Sequence, residues 1–351
     1  MAADVLRGAL IGCGFFAQNH LQAWRQLPGV EIVALCDADA GRLAASGEAF
    51  GVEPAHRHAS ARTLLDAEQL DFVDIATTVA SHRPLVEMAA ARGLHVICQK
   101  PFAATLADGE AMVAACERAG VRLMVHENFR WQTPVQAVRR VIDDGLVGAP
   151  YWGRLSFRSG FDVYRAQPYL AEGRRFIIED LGIHVIDIAR FLLGDAELAS
   201  ASTQRINPKV AGEDVATLLL RHASGATSVV DCSYASWRAE ELFPQTLIEI
   251  DGTEGSLKLE ADYRLAVHHA SKGTQIKRCE PPLHAWAEQP WFNIQDSVLN
   301  IQAHWLACLR EGREPQTSGR DNLRTLALVE AAYAAAGEPR PAPLRSRTVG
   351  S

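Results

Sequence analysis

Short apolar runs alternate with longer amphipathic stretches through the first third of the chain. The runs predict strands at residues 5–11, 30–36, 72–76, 95–98 and 121–125, and the amphipathic stretches predict helices at 17–27, 41–50, 81–92 and 106–119. Each predicted helix is followed by proline or glycine, as is usual where a helix ends. Strands that alternate with helices in this way are typical of a doubly wound α/β domain with a parallel sheet.

The pattern changes after residue 127. A predicted helix at 134–144 precedes apolar runs that predict strands at 151–157, 216–220, 227–234, 246–250 and 256–259. Hairpin-length turns join some of these strands, so we expect a largely antiparallel sheet. Helices are predicted again at 297–310 and 322–336, and the proline-containing tail at 337–351 is expected to be irregular. The prediction is a domain at 1–127 followed by an α+β domain at 128–351.

Composition narrows the possible functions. The chain has 351 residues, of which 48% are apolar and 22% charged, and it carries a net charge of -7 with scattered basic residues. These values fit a globular protein of about two domains and argue against nucleic acid and anionic membranes as partners. The seven cysteines are widely spaced, and neither a CxxC nor an HExxH motif occurs. We therefore expect no metal site and no secretory or membrane-spanning segment, and we expect a cytoplasmic location.

A glycine-rich loop lies between the first predicted strand and the first predicted helix. Gly12, Gly14 and Ala17 form a GxGxxA motif, and Asp37 ends the second strand. In a Rossmann fold the first glycine permits a tight turn, the second lets the backbone approach a pyrophosphate, and a small third residue lets helix and strand pack closely. The sequence therefore predicts a dinucleotide site on Gly12, Gly14, Phe15 and Phe16, with Asp37 accepting hydrogen bonds from the ribose and favouring NAD over NADP.

Candidate catalytic residues occur at two further places. Lys100 follows the strand at 95–98, where ligands bind in parallel sheets, although a solvent-exposed loop lysine is an equal alternative. Asp180, His184 and Asp187 lie four and three residues apart, so a helix would put them on one face. The alternative is a capping aspartate followed by a core histidine, and these residues alone do not decide between the two.

The glycine loop, the Lys-Pro pair and the DxGxHxxD pattern, in this order, resemble the Gfo/Idh/MocA oxidoreductases. The resemblance implies a Rossmann NAD domain, then a domain with an open, mostly antiparallel sheet whose outer face forms a homodimer or homotetramer. It also implies NAD-dependent oxidation of a sugar hydroxyl. The family's Glu-Lys-Pro lysine corresponds to Lys100, and its aspartate and histidine correspond to Asp180 and His184.

One position departs from the family pattern. Gln99 stands where the family usually has glutamate. The amide can still bond the nicotinamide ribose, but Lys100 loses an adjacent negative charge that would favour its protonated form. Thr77, Thr78 and His82 follow the strand at 72–76 and are also predicted to contact the cofactor.

Oxidation of a hydroxyl needs a base. Histidine has an ordinary pKa of about 6.5, so His184 can accept the proton while Lys100 holds the reacting oxygen and Asp180 orients the imidazole or a substrate hydroxyl. The roles of Lys100 and His184 could equally be exchanged. The remaining sugar hydroxyls are predicted to bind Asn128, Arg158, Asp162 and Tyr164. Two other interpretations stay open: another aldose or inositol dehydrogenase of the family, and a non-catalytic dinucleotide-binding sensor.

Overall fold

The computed structural model describes residues 5–337 and 340–341. The chain divides into two compact units. The first contains residues up to Gln136 together with Pro281–Ala327, and the second contains Ala137–Glu280 together with the residues from Leu328 onward. The predicted domains, 1–127 and 128–351, group residues 281–327 differently. Their assignment to NAD binding and to substrate binding stays a prediction.

A six-stranded parallel sheet forms the centre of the first unit, in the order β3-β2-β1-β4-β5-β6. Its strands are β1 (Leu6–Ile11), β2 (Val30–Cys36), β3 (Arg57–His58), β4 (Phe72–Ile75), β5 (His95–Gln99) and β6 (Leu123–His126). The helices between them are α1 (Ala17–Trp24), α2 (Ala40–Phe50), α3 (Ala61–Ala67), α4 (His82–Ala90) and α5 (Leu106–Ala119). The predicted parallel α/β fold is confirmed. The prediction missed β3 and α3, whose two and seven residues are too short to show a clear period.

Capping residues define the ends of these helices. The side chain of Asp39 accepts the N–H of Arg42 at the start of α2, and Thr105 accepts the N–H of Asp108 at the start of α5. Gly51 and Gly120 end the same two helices in the left-handed conformation, which costs glycine little. Local sequence chemistry thus sets where these two helices begin and end.

A mixed sheet of nine strands forms the second unit, in the order β14-β13-β12-β11-β7-β10-β9-β8-β15. Helix α6 (Thr133–Asp143) precedes it and α7 (Ile183–Leu193) packs on it. The strands are β7 (Pro150–Arg158), β8 (Ala196–Arg205), β9 (Val215–His222), β10 (Thr227–Ser233), β11 (Leu247–Gly252), β12 (Gly255–Leu259), β13 (Arg264–His269), β14 (Gly273–Arg278) and β15 (Arg340–Pro341). Most pairs are antiparallel, as predicted, while β7 pairs β10 and β8 pairs β15 in parallel. The prediction missed β8, β13 and β14, and most of the tail predicted to be irregular lies outside the described residues.

The two faces of this sheet have different surroundings. A Cβ on Gly153 of β7 would lie 2.9 Å from Leu193 of α7, so this residue faces the helix. Because side chains alternate along a strand, Arg154 points to the opposite face. On that face Arg154 pairs with Glu249 of β11 and with Val229 of β10. Val229 in turn pairs with Leu219 of β9, which is exposed. This face carries charged and apolar side chains together.

Two long helices follow the second sheet in the sequence, α8 (Phe292–Glu311) and α9 (Gly319–Ala336). Helix α8 belongs to the first unit, where its apolar side chains complete a core under β1, β4, β5 and β6. The core residues are Trp24, Phe72, Ile97, Met124, Ile301, Trp305 and Leu306. This packing explains why residues 281–327 group with the first sheet. Over residues 5–337, none of the helices is both long enough and apolar enough to cross a membrane.

Loss of a large side chain from this core should destabilise the first unit. Trp305 has no exposed surface, so Trp305→Ala should lower the free energy of unfolding by about 3–5 kcal/mol. Trp237 is 100% exposed, and Trp237→Ala should change it by less than about 0.5 kcal/mol. Denaturant titration followed by circular dichroism measures both. Equal effects of the two variants would contradict the packing of α8 described here.

Candidate active site

The predicted cofactor residues of the first unit lie at one edge of its sheet. Gly12 follows β1, Asp37 follows β2, Thr77 follows β4 by two residues, and Lys100 follows β5. All six strands are parallel, so their carboxyl ends share an edge, and the order of connections reverses between β1 and β4. Ligands of open α/β sheets bind at such a switch point.

The glycine loop has the shape that a dinucleotide site needs. Gly12 has φ +99°, and a Cβ there would lie 2.6 Å from the carbonyl oxygen of Ala76, so only glycine fits. Around Gly14, by contrast, a Cβ would meet nothing within 4 Å. A Cβ at Gly14 would therefore occupy open space beside the start of α1. This is where backbone approach to a pyrophosphate requires glycine.

Asp37 links the loop to the end of β2. Its Oδ2 accepts the N–H of Cys13 at 2.7 Å, and its Oδ1 accepts the N–H of Asp39 at 2.8 Å and lies 3.1 Å from the Arg42 guanidinium. Burial alone would raise the pKa of this carboxyl, but these donors hold it below its ordinary value. An ionised, oriented carboxylate at this position is able to accept hydrogen bonds from a ribose, and that contact stays a prediction.

The two phenylalanines of the loop have different environments. Phe15 is 51% exposed and contacts the edge of Trp291, with the ring centroids 5.9 Å apart. Phe16 makes edge contacts with the rings of His20 and His126. Phe15 is therefore accessible to a ligand, and Phe16 packs on buried histidines.

The predicted contacts after β4 also differ from one another. Thr77 accepts the Ser81 hydroxyl at 2.7 Å, and Thr78 is exposed. His82 is buried, with Nε2 3.1 Å from the Thr77 carbonyl and Nδ1 3.1 Å from the Phe102 carbonyl. Burial lowers the pKa of His82, although the carbonyls oppose this effect. His82 thus connects the segment after β4 to the segment that follows Lys100.

Gln99 and Lys100 follow one another at the end of β5. The Lys100 N–H donates to Gln99 Oε1 at 2.8 Å, and Gln99 Nε2 lies 2.8 Å from Nε2 of His20. Gln99 is 7% exposed, so its amide is engaged mainly inside the protein. Its predicted contact with the nicotinamide ribose stays a prediction.

Glu127, which follows β6, is a site residue that the sequence prediction missed. It has no exposed surface, and burial raises its pKa to about 8, while the charges of Lys100 and Arg130 act in the opposite direction. Burial therefore favours the neutral form of this carboxyl, which lies within electrostatic range of Lys100. The only sequence signal is its position directly after a buried strand.

The second unit carries the DxGxHxxD residues on two kinds of helix. Asp180 lies in a π-helical turn, Ile178–Gly182, and His184 lies in the α-helix that continues from it. The predicted α-helical spacing therefore does not apply at Asp180, because a π turn is wider; such turns are frequent at functional sites. His184 is 4% exposed, and Asp187 is fully buried with its Oδ1 4.0 Å from the Arg190 guanidinium. Asp187 thus interacts with a neighbour on its own helix.

Glu213 binds the backbone at the start of this π turn. It is a second residue that the sequence prediction missed. Its buried Oε1 accepts the N–H groups of Phe176 and Ile178, at 3.2 and 3.3 Å, and the hydroxyl of Tyr333 at 2.7 Å. Backbone N–H groups at the start of a helix lack partners within it, so this carboxylate fixes where the turn begins. Two adjacent carboxylates, Glu213 and Asp214, directly before the apolar strand β9 were the available signal.

The four predicted substrate residues do not share one environment. Burial raises the pKa of Tyr164 to about 12, and the carboxylates of Asp214, Asp162 and Asp180 add to this, so Tyr164 lies within electrostatic range of all three. Arg158 is two residues from Ser156 and four from Arg154, so it shares their sheet face, away from α7, and its Nη1 lies 3.4 Å from Asp231.

Asn128 belongs to the first unit. Its side-chain amide donates to the Ser297 hydroxyl at 2.7 Å. This bond links the segment after β6 to α8. Among the described residues, no group of three His, Cys, Asp or Glu side chains is arranged to hold a metal ion.

The doubly wound sheet, the glycine loop and the ionised Asp37 define a dinucleotide-binding protein, and the comparisons with known families specify the class. Residues 6–127 match the oxidoreductase family model with an NAD-binding Rossmann fold, GFO/IDH/MocA, and residues 135–258 match the GFO/IDH/MocA C-terminal domain. The chain belongs to this family. It is an NAD-dependent oxidoreductase.

Close relatives cover nearly the whole chain. A D-apiose dehydrogenase of Paraburkholderia graminis is 66% identical over 97% of this chain and 90% of the relative. Another D-apiose dehydrogenase, from Rhizobium rhizogenes, is 58% identical over 95% of this chain and 96% of the relative. A crystal structure of an oxidoreductase from Agrobacterium radiobacter, in complex with NAD+, L-tartaric acid and magnesium, is 58% identical, with a TM-score of 0.93 over 95% of this chain and 96% of that one.

The two loop glycines should respond differently to the same substitution. Gly12→Ala forces a Cβ against Ala76 at a positive φ, so it should destabilise the first unit by at least about 1–3 kcal/mol. Gly14→Ala meets open space and should leave the midpoint of thermal unfolding nearly unchanged while weakening NADH binding at least about tenfold. Thermal unfolding and NADH fluorescence titration measure the two effects. Unchanged NADH affinity in folded Gly14→Ala would contradict the predicted pyrophosphate position.

Proposed function

We propose that this chain is an NAD-dependent sugar dehydrogenase that oxidises D-apiose to D-apionolactone. The observation that carries the proposal is the 66% identity to a D-apiose dehydrogenase over 97% of this chain. The second relative of that name, at 58% identity, supports it. Stretches such as CGFFAQNH at 13–20 and VHENFRW at 125–131 also resemble D-apiose dehydrogenases.

Residues at the carboxyl edge of the first sheet fit NAD. Gly12 and Gly14 would hold the pyrophosphate, Asp37 would accept the ribose hydroxyls, and Phe15, Thr77 and Thr78 are accessible beside them. Bound NAD+ supplies the hydride acceptor, so that oxidation at the anomeric carbon yields the lactone, NADH and one proton.

The proton of the sugar hydroxyl needs an acceptor among the residues of this chain. We assign this role to His184, whose imidazole can be neutral at physiological pH. Lys100 binds the reacting oxygen and stabilises the negative charge that develops on it. Asp180 orients the imidazole or a neighbouring hydroxyl, and Tyr164, which lies within electrostatic range of Asp180 and Asp162, binds further sugar hydroxyls together with Asp162. In the alternative assignment Lys100 accepts the proton and His184 binds the reacting oxygen, so the same two side chains act on the same hydroxyl.

The assembly and location of the protein are part of the same proposal. The sheet face that carries Arg154, Leu219 and Glu249 is a mixed charged and apolar surface, which suits a homodimer or homotetramer. Seven buried free thiols are consistent with a reducing, cytoplasmic compartment.

Substrate preference can be tested with the purified enzyme, NAD+ and a panel of D-apiose, linear pentoses, branched tetroses and inositols, by following NADH absorbance. We expect kcat/KM for D-apiose to exceed that for every other member at least about tenfold. An inositol or another aldose as the best substrate would favour a different dehydrogenase of the family. Tight NADH binding without turnover of any of these compounds would indicate a sensor.

The catalytic assignment can be tested by removing each side chain. Lys100→Ala and His184→Ala should each lower kcat by about 100-fold or more, because each loses charge stabilisation or proton transfer. Their NADH affinity should stay within about threefold. Lys272→Ala and His268→Ala, at exposed positions of the second unit, are matched controls that should keep full activity. Unchanged kcat in either catalytic variant would contradict the role of that residue.

A further inference from the structure

A buried polar network contacts the backbone of Lys100 through the side chain of Gln99. Asp74 Oδ2 accepts the Trp24 indole N–H at 2.8 Å and lies 2.8 Å from His20 Nδ1. The other ring nitrogen of His20 lies 2.8 Å from the Gln99 amide nitrogen. His20 and Asp74 have no exposed surface. The network therefore runs from α1 and β4 to the end of β5, all within the first unit.

The hydrogen-bond directions in this network follow from the Lys100 N–H. A backbone N–H can only donate, so the Gln99 atom that lies 2.8 Å from it must be the amide oxygen. The amide NH2 group then faces His20 and donates to its Nε2. Since this nitrogen accepts, the single proton of a neutral His20 lies on Nδ1 and is donated to Asp74.

The rest of the surroundings fits a neutral His20. Its ring stacks on His126, with centroids 4.0 Å apart, an arrangement that two charged rings would disfavour. Gln99 Nε2 lies 3.4 Å from Nδ1 of His126, so its second hydrogen points toward that ring. The charged or titratable groups nearest in sequence on these strands are Cys98, before Gln99, Lys100, after it, and Glu127, after His126. Burial and the charge of Asp74 raise the pKa of the Cys98 thiol, which keeps it neutral. Phe16 packs edge-on against both imidazoles.

We propose that Gln99 is a positioning residue for Lys100: its amide accepts the Lys100 N–H and at the same time donates to the neutral His20 that Asp74 orients. A glutamate at 99 could accept the Lys100 N–H but could not donate to His20. Of the two side chains, only the amide can accept the Lys100 N–H and donate to an uncharged His20 without itself binding a proton. The inference rests on the proposed function only in taking Lys100 as catalytic.

The consequence for protonation is specific. In Gln99→Glu, Nε2 of His20 would face a carboxylate, and Nδ1 already faces Asp74. His20 should then bind one further proton from solvent and become an imidazolium between two carboxylates. The charge of the network stays the same, because the added negative charge is matched by the added proton.

The protonation state can be read directly by nitrogen-15 NMR of the full chain labelled at histidine. The His20 signals are assigned by their loss in His20→Asn. At neutral pH we expect wild-type His20 to give the pattern of a neutral ring protonated on Nδ1, and Gln99→Glu to give two protonated nitrogens. This measurement needs no sugar and no turnover.

Gln295→Glu is the matched control. Gln295 is 6% exposed, accepts the N–H of Glu288 at 2.9 Å and donates to the Asn19 side-chain oxygen at 3.2 Å. It thus makes the same two kinds of bond in the same unit without touching a histidine ring. This control adds the same charge and should leave the His20 signals unchanged.

Measurements of kcat then test whether Gln99 positions Lys100 for catalysis. Gln99→Glu keeps the acceptor for the Lys100 N–H but removes the donor to His20, so its kcat should fall less than that of a variant that loses both bonds. Gln99→Met keeps the volume but removes both bonds, so its kcat should fall at least about tenfold at every pH.

Three results would overturn the inference: a neutral His20 in Gln99→Glu, the same His20 change in Gln295→Glu, or wild-type kcat in Gln99→Met. Failure of the proposed function has a different signature. In that case no sugar is oxidised by the wild-type protein, while the NMR comparison still shows the imidazolium in Gln99→Glu.

Discussion

Buried polar groups in this chain must find partners inside the protein, and the partners they find hold the candidate site in shape. Transfer of an unpaired carboxylate or imidazole from water to the interior costs several kcal/mol, so a partner inside the protein stabilises such a group. At the carboxyl edge of the first sheet, Asp37 accepts the loop N–H of Cys13, His82 spans two carbonyls, and Gln99 joins Lys100 to His20. Asp37 connects the end of β2 to the loop after β1, His82 connects the segments after β4 and β5, and Gln99 connects the end of β5 to α1.

In the second unit, too, a buried polar side chain holds a site residue in place, here at the start of a helical turn. Glu213 accepts two N–H groups at the start of the π turn, and Tyr333 donates to the same oxygen. The turn places Asp180 before α7, while His184 lies in the regular helix. Glu213 thus has no part in the proposed chemistry, but its carboxylate fixes the backbone conformation of the turn that carries Asp180, which does take part. In both units the residues proposed to touch ligand depend on buried residues behind them.

The sequence predicted these site features to different degrees. The glycine loop and Asp37 were predictable because their roles depend on backbone shape and on position along one βα unit, which neighbouring residues encode. The π turn at Asp180 was not, because a helical spacing of four and three residues does not reveal an extra residue in one turn. Glu127 and Glu213 were missed since a lone acidic residue in the sequence carries no sign of burial. Arg158 and Asn128 look like free polar groups in the sequence, yet each is engaged with a partner distant along the chain.

The amino-acid sequence by itself determined the parallel α/β character of the first unit, most of the antiparallel strands of the second, and, to within about three residues, the ends of α1, α2, α4 and α5. These features depend on periodicity, capping and turn residues, all of which act over a few neighbouring positions. Only the tertiary structure decided that α8 packs under the first sheet and that Gln99 meets His20. Such contacts join residues up to 282 positions apart, as between Gln302 and the His20 carbonyl, and no local pattern encodes which distant surfaces will bury one another.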